Sequence, residues 1–490
     1  MKKFTSFSSL ILLFLLLFSN QSFSQSPTVQ SVTSFTTEGT KTVGDQIEIK
    51  VIFSESVTVT GTPTLKLETG TTDAVVNYSG GSPGSILNFN YTVSNGDSST
   101  DLDYFDTSSL SLNSGTIKAT DDNSNATLTL AAPGQNGSLG NAKDYVVDGV
   151  IPTGALTYSA DAPYKENATA TVTATFTEAL TTTPKISISG LSSIAATNMS
   201  GSGTTWTYAY TAPAGDGTDT FAFSVGTDAA GNTVTSAPTS GATVTVDNTA
   251  PTAAITYSDD GPYKNGEIIT ITATFNGAVL DSPVPTIAIA GSGIANVTST
   301  NMTKVSTISY TYSYAVPTGD GTGTVTVGTG TDSASNVVTS VPTSGATFTV
   351  DNTAPVLTAV TQVSTPSNTT TPSYVFTTTE AGTITTNITE GFSTNASAAT
   401  GSNQTITFAT LGAGTYTGKT VTVTDTAGNA GSITMADFVI DTTAPTAEIT
   451  YAGSGGSPYK QDDTVTITAT FTEALTTTPK IAISGVSTIA

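Results

Sequence analysis

The sequence predicts an all-β protein of tandem β-sandwich modules, and three observations carry that prediction. Short stretches alternate apolar and polar residues, a heptapeptide joint recurs about every hundred residues, and charged residues make up only 10% of a chain dominated by Thr, Ser, Gly, Ala and Val. Alternation of period two marks a half-buried strand. β-Branched residues suit the pleat, and Gly serves the turns between strands.

The joint reads Val246-Asp247-Asn248-Thr249-Ala250-Pro251-Thr252. It returns as Val350-Asp351-Asn352-Thr353-Ala354-Pro355-Val356 and as Ile440-Asp441-Thr442-Thr443-Ala444-Pro445-Thr446. A degenerate copy is Val147-Asp148-Gly149-Val150-Ile151-Pro152-Thr153. Each copy ends one strand, supplies an acid, and opens the next strand with proline. The aspartates lie 99, 104 and 90 residues apart. Solenoid repeats have periods of roughly 20 to 50 residues, whereas one small sandwich takes about 100. The joints therefore divide the 490 residues into modules at 26–148, 149–247, 248–351 and 352–441, with a truncated fifth at 442–490. Each complete module is long enough to bury its own core without metal or disulfide.

The N-terminus precedes this array. Lys2 and Lys3 lead into the nine apolar residues Leu10–Phe18, and Ser22-Phe23-Ser24 offers small residues for a cut before Gln25. That three-part pattern predicts a cleaved signal peptide over 1–24, too short in its apolar part to span a bilayer. No Cys follows it to carry a lipid. The expected mature chain is secreted, with 12 Lys against 37 acids, a net charge of −25. A Cys-free exported repeat of this composition points to a bacterial source, since extracellular animal domains of this size usually carry disulfides.

In the first module, Ile47–Phe53, Leu65–Leu67 and Leu87–Tyr91 alternate as strands. In the second, Val172, Ala174 and Phe176 share one face, followed by Ile186 and Ile188, Trp206, Tyr208 and Tyr210, Phe221, Phe223 and Val225, then Val244 and Val246. The aromatic residues alternate with Thr, which assigns them to a core rather than to a ligand platform. The third module repeats the pattern through Ile269–Phe275, and the fourth is shorter and more diverged. Residues 471–485 match 176–190 at every position but one, Ala482 for Ser187. Such near-identity implies recent duplication, and the sequence stops at Ala490 well short of a full module, as expected of a fragment.

The joints, the Thr-Phe-Thr-Glu-Ala-Leu segment at 175–180 and the Thr-Asp-x-x-Gly-Asn loops at 227–232 and 424–429 resemble the immunoglobulin-like repeats of large bacterial cell-surface proteins and adhesins. The first module resembles a sister repeat through Val43-Gly44-Asp45, Phe53–Pro63 and Leu102-Asp103-Tyr104. The resemblance implies tandem Ig-like β-sandwiches forming an extracellular stalk, often stiffened by calcium between modules.

Geometry also gathers acids at the joints. In such a sandwich the first strand starts at the end where the second-to-third and sixth-to-seventh strand loops lie. With those strands at Thr171–Phe176, Lys185–Ser189, Phe221–Val225 and Ala242–Val246, Glu178 falls in one loop and Asp228 with Asn232 in the other. Asp148 arrives from the joint. Asp351, Glu380, Asp425 and Asn429 repeat the set in module four, and module five offers Asp441 and Glu473. Module three has Asp247, Asp332 and Asn336, but Asn276 is taken to replace the glutamate, so its site is expected to be weaker or empty. Module one has Glu55 and Asp121-Asp122 with no preceding joint. Calcium takes six to eight oxygen ligands, and these residues are candidates to supply them. The competing reading is structural: Asp-x-x-Gly-Asn is also good turn chemistry.

Composition narrows the function. Without Arg or a basic cluster there is no phosphate-contacting patch, which argues against nucleic acid and an anionic membrane surface. No His or Cys is present for nucleophile activation or a zinc site. Acids that repeat with the modules suit joints better than one active site. The expected function is a non-catalytic stalk or adhesin segment whose receptor or glycan is met outside this region. The alternatives are a spacer or carbohydrate-binding region of a secreted enzyme, and a self-assembling surface coat.

Overall fold

The computed structural model describes residues 25–485 except 395 and 455, so the signal peptide expected over 1–24 lies outside the described residues. Among the described residues the chain is all-β, built of antiparallel sheets, with one four-residue helix, Leu139–Ala142, capped by Ser138. It divides into two compact units, one running to Thr249 and including Ser333–Asn336, the other formed by the remainder from Ala250.

The first unit holds two cores. In the first, a seven-stranded sheet wraps Ile47, Ile49, Val51, Phe53, Leu87 and Phe89. Its long strand Gln46–Thr60 serves three neighbours: Ile49–Phe53 pairs with Val29–Ser34, Gln46–Ile52 with Ile86–Thr92, and Val57–Thr60 with Thr116–Ala119. The alternation of Ile47, Ile49, Val51 and Phe53 places all four inside, each at most 2% exposed.

The second core lies between two sheets. Gly154–Tyr158, Thr169–Leu180 and Ser200–Thr211 form one; Ile194–Asn198, Pro184–Gly190, Gly217–Val225 and Thr243–Val246 form the other. First, second and fifth strands thus face third, fourth, sixth and seventh, the division of an immunoglobulin-type sandwich with its fourth strand on the second sheet. Val172, Ala174 and Phe176 meet Ile186, Ile188, Phe221 and Phe223 between them. Phe176 and Phe223 pack at 4.9 Å, with Gly154 so close that a Cβ there would lie 2.7 Å from both rings. Trp206 and Tyr210 are buried, as their alternation with Thr predicts.

In the second unit the same division recurs twice. Ala253–Tyr257, Ile268–Phe275, Ser309–Ala315 and Thr303–Ser306 face Val297–Asn301, Thr286–Ala290, Gly321–Gly328 and Thr347–Val350. Leu357–Thr361, Ser373–Thr378 and Gln404–Thr407 face Ser397–Ala398, Gly382–Thr386, Thr420–Thr424 and Ala430–Thr434, around Tyr374, Phe376, Ile406 and Val423. The last strands are a hairpin, Ala447–Gly453 with Val465–Phe471, exposed along most of its length.

Candidate metal centre

Each joint proline is followed by a residue fastened to the end of the second strand of its sandwich. Thr177 Oγ1 accepts from Thr153 N at 3.0 Å, Thr379 Oγ1 from Val356 N at 2.9 Å and Thr472 Oγ1 from Thr446 N at 3.0 Å. This fixes the residue after Thr177 or Thr379, a glutamate, beside the joint. Glu178 lies on the strand Thr169–Leu180, not in the loop expected of it, because that strand runs on past a register irregularity between Thr175 and Leu180. Glu380 follows its strand, which ends at Thr378.

In the first unit, carboxylate oxygens of Asp148, Glu178 and Asp228 all lie within 4.8 Å of one another; in the second unit those of Asp351, Glu380 and Asp425 do the same. Oxygens on opposite sides of one ion at calcium distances, about 2.4 Å, stand about 4.8 Å apart, so each triad is compact enough to share one. The glutamates are the strained members. Glu178 Oε1 and Glu380 Oε2 are buried without a hydrogen-bond partner. Burial, and then the charges of Asp148 and Asp228, raise the Glu178 carboxyl above the ordinary glutamate range. Burial and the neighbouring Asp351 and Asp425 do the same to Glu380, with Asp320 adding a smaller push. A cation would supply the missing partner and offset the repulsion. A cleft of about 400 Å³ lined by Ser98, Ser99, Thr100, Val146 and Val150 opens on Asp148 and Glu178.

The aspartates also do the turn work expected of them. Asp148 Oδ1 accepts from Val150 N at 3.2 Å and Asp351 Oδ1 from Thr353 N at 3.0 Å. Asp228 Oδ1 takes the amides of Gly231 and Asn232 at 2.6 and 2.9 Å. Each aspartate therefore spends part of its acceptor capacity locally and keeps lone pairs that a cation could share.

Asn232 and Asn429 stand in the same loops, but with their amide nitrogens towards the carboxylates. Asn232 Nδ2 donates to Asp228 Oδ2 at 3.0 Å and to Asp148 O at 2.9 Å. Asn429 Nδ2 donates to Asp425 Oδ2 at 3.0 Å and to Asp351 O at 2.9 Å. Their expected role as oxygen ligands does not match this orientation.

Module three differs from expectation in its alignment. Asn276 accepts from Thr252 N at 2.9 Å, the role of Thr177, so the glutamate position is held by Gly277, which has no side chain to offer. Asp247 closes its own turn onto Thr249 N at 3.0 Å, and Asn336 Nδ2 donates to Asp247 O at 2.8 Å. Asp332 is buried at 7% exposure. Asp441 bonds Thr443 N at 3.0 Å, while Glu473 is exposed; neither belongs to a carboxylate triad among the described residues.

Two acids invisible to the joint motif complete its fastening. Asp216 Oδ1 accepts from Asn248 N at 2.5 Å and its Oδ2 from Thr249 Oγ1 at 2.5 Å. Asp320 repeats this with Asn352 N at 2.5 Å and Thr353 Oγ1 at 2.6 Å. The Asn-Thr of the joint is thus a latch onto the loop that crosses from one sheet to the other, between Ser200–Thr211 and Gly217–Val225 and between Ser309–Ala315 and Gly321–Gly328. The recurring Gly-Asp-Gly at 215–217 and 319–321 was the sequence signal for it.

No protein-family model and no curated protein matches this chain. Among solved structures, Salmonella α-2-macroglobulin reacted with methylamine aligns at 8% identity and TM-score 0.18, covering 90% of this chain and 31% of that one. A putative membrane anchored protein of Corynebacterium diphtheriae aligns at 11% identity and TM-score 0.20, covering 65% of this chain and 91% of that one. The ICAM-5 D1–D4 ectodomain fragment aligns at 11% identity and TM-score 0.23, covering 84% and 99%. The chain thus spans about a third of the macroglobulin. At TM-scores of this size the likenesses carry no argument about fold or function.

Proposed function

We propose that this chain is a secreted, non-catalytic stalk segment of a bacterial surface protein, built of sandwich modules at 26–148, 149–247, 248–351 and 352–441, with a fifth beginning at 442. Calcium at the joints near Asp148 and Asp351 holds neighbouring modules in fixed register. The observation that carries the proposal is the pair of carboxylate triads, each with a buried glutamate oxygen lacking a donor. Two neighbouring domains are mobile by default unless their interface is large and apolar. An ion sharing ligands from the joint, one strand end and one loop ties together segments distant in sequence. Calcium suits the site because it accepts irregular all-oxygen sets, whereas magnesium demands octahedral geometry at about 2.1 Å and keeps most of its water.

The absence of His and Cys removes the usual nucleophile-activating bases, and the acids recur with the modules. Both support a mechanical role over a catalytic one. The test is a calcium titration of the secreted chain with melting followed in chelator and in millimolar calcium. Tight binding with a raised melting temperature is the expected result. Identical melting in the two conditions, with no heat of binding, would remove calcium from the proposal and leave a string of sandwiches.

A further inference from the structure

The sequence motif Asp-x-x-Gly-Asn presents its asparagine as one more oxygen ligand, but the structure gives that side chain the opposite polarity. We infer that Asn232 and Asn429 are positioning residues: each is a donor clamp that ties the main chain of the joint aspartate to the loop carboxylate. This rests on the calcium proposal for its consequence but not for its geometry.

The orientation follows from the partners. The amide group of Asn429 faces the carbonyl oxygen of Asp351 and a carboxylate oxygen of Asp425, at 2.9 and 3.0 Å. Both are acceptors only, so the NH2 side must point at them; turning the amide over would bring three oxygens together. Asn232 meets the same pair, Asp148 O and Asp228 Oδ2, and its Oδ1 is used elsewhere, accepting from Val43 N at 3.2 Å. The arrangement also appears at Asp247 O, which receives Asn336 Nδ2 at 2.8 Å in the module whose glutamate position is Gly277. A bond kept where no triad forms among the described residues is a bond that does not need the ion.

The clamp does two things for a triad. It fixes where the joint aspartate leaves the backbone, and it holds one oxygen of the loop carboxylate so that the other presents in a set direction. Groups that orient metal ligands in this way change affinity about 10- to 100-fold when removed.

The substitution Asn429→Asp separates clamp from ligand because the two roles predict opposite signs. A ligand asparagine replaced by aspartate gains a charged oxygen, and calcium affinity stays level or rises. A clamp loses its donor and sets a carboxylate against Asp425 and the Asp351 carbonyl. We expect calcium affinity in the full secreted chain to fall at least about tenfold, with Asn232→Asp behaving alike at the other triad. In chelator, amide exchange at 351–353 should accelerate in Asn429→Asp and in the milder Asn429→Ala, which guards against a misfolded aspartate variant. Unchanged or tighter calcium binding by Asn429→Asp, in a chain of unchanged circular dichroism, overturns the clamp. If the unmodified chain binds no calcium, the calcium proposal fails separately. The exchange measurement in chelator still decides the clamp, which is overturned if 351–353 exchange alike in all three chains.

Discussion

A carboxylate oxygen of Glu178 lies within 4.8 Å of one on Asp228, and Glu178 Oε1 is buried with no hydrogen-bond donor to meet it. The contact is repulsive between two anions and becomes attractive only through a third charge of opposite sign. The joint is therefore poised to respond to cations.

Glu178→Gln and Glu380→Gln remove the buried charge and its repulsion. In chelator each variant should melt no lower than the parent. In calcium each should lose the stabilisation of one site, about 2.7 kcal/mol at a free concentration one hundred times Kd. For a module of this size that is roughly 10–20 °C of melting temperature. Scanning calorimetry in both buffers checks it; a full calcium shift in either variant, at the transition of its own module, would count against that triad.

Proton and calcium should act in opposite directions with pH. A carboxyl whose folded pKa is raised favours the folded state below its unfolded pKa, about 4.3 for glutamate, and that advantage is lost as pH rises through the folded pKa. Glu178 and Glu380 are raised by burial and by their neighbours. Metal-free protein should therefore gain stability as pH falls from about 7 towards 5, where Asp216 and Asp320, held low by their hydrogen bonds, stay ionised. The calcium-induced shift should shrink over the same interval. Parallel pH profiles with and without calcium would sink this account.

Stoichiometry tests the alignment of module three. With Gly277 at the glutamate position, two tightly bound ions per chain are expected, at Asp148/Glu178/Asp228 and Asp351/Glu380/Asp425. Native mass spectrometry at controlled free calcium counts them. A third ion of equal affinity that disappears in Asp332→Ala would show that module three has its own site.

The latch should be separable from the metal. Asp320→Ala removes the acceptor of both Asn352 N and Thr353 Oγ1. Amide exchange at Asn352 should speed up equally in calcium and in chelator, with calcium affinity changed less than by Glu380→Gln. An exchange rate that does not move would mean the latch holds nothing.

The sandwich core should be insensitive to calcium. A Cβ on Gly154 would sit 2.7 Å from Phe176 and Phe223, so Gly154→Ala should cost about 1–3 kcal/mol through overpacking. Phe176→Ala should cost about 3–5 kcal/mol through its cavity. Both losses should appear undiminished in chelator, and urea melts of the module-two transition measure them.

Much of this was legible in the chain itself. Period two placed Ile47, Ile49, Val51 and Phe53, and likewise Val172, Ala174 and Phe176, inside because side chains alternate across a strand whatever its partner. The strand pattern brought Glu178 and Asp228 to the same end as Asp148. Local chemistry determines these things, so sequence suffices for them.

Partners in space decided the rest. Residues 184–190 form a strand because Ile194–Asn198 and Gly217–Val225 flank them, yet the near-identical 479–485 form none, with no such neighbours among the described residues. Asn276 and Gly277 could be told apart only by the hydrogen bond that Thr252 N makes. The direction of the Asn232 and Asn429 amides was open in the sequence, since the side chain carries both a donor and an acceptor. The joint carbonyl arriving from a distant segment, together with the loop's own carboxylate, fixed which end faced them.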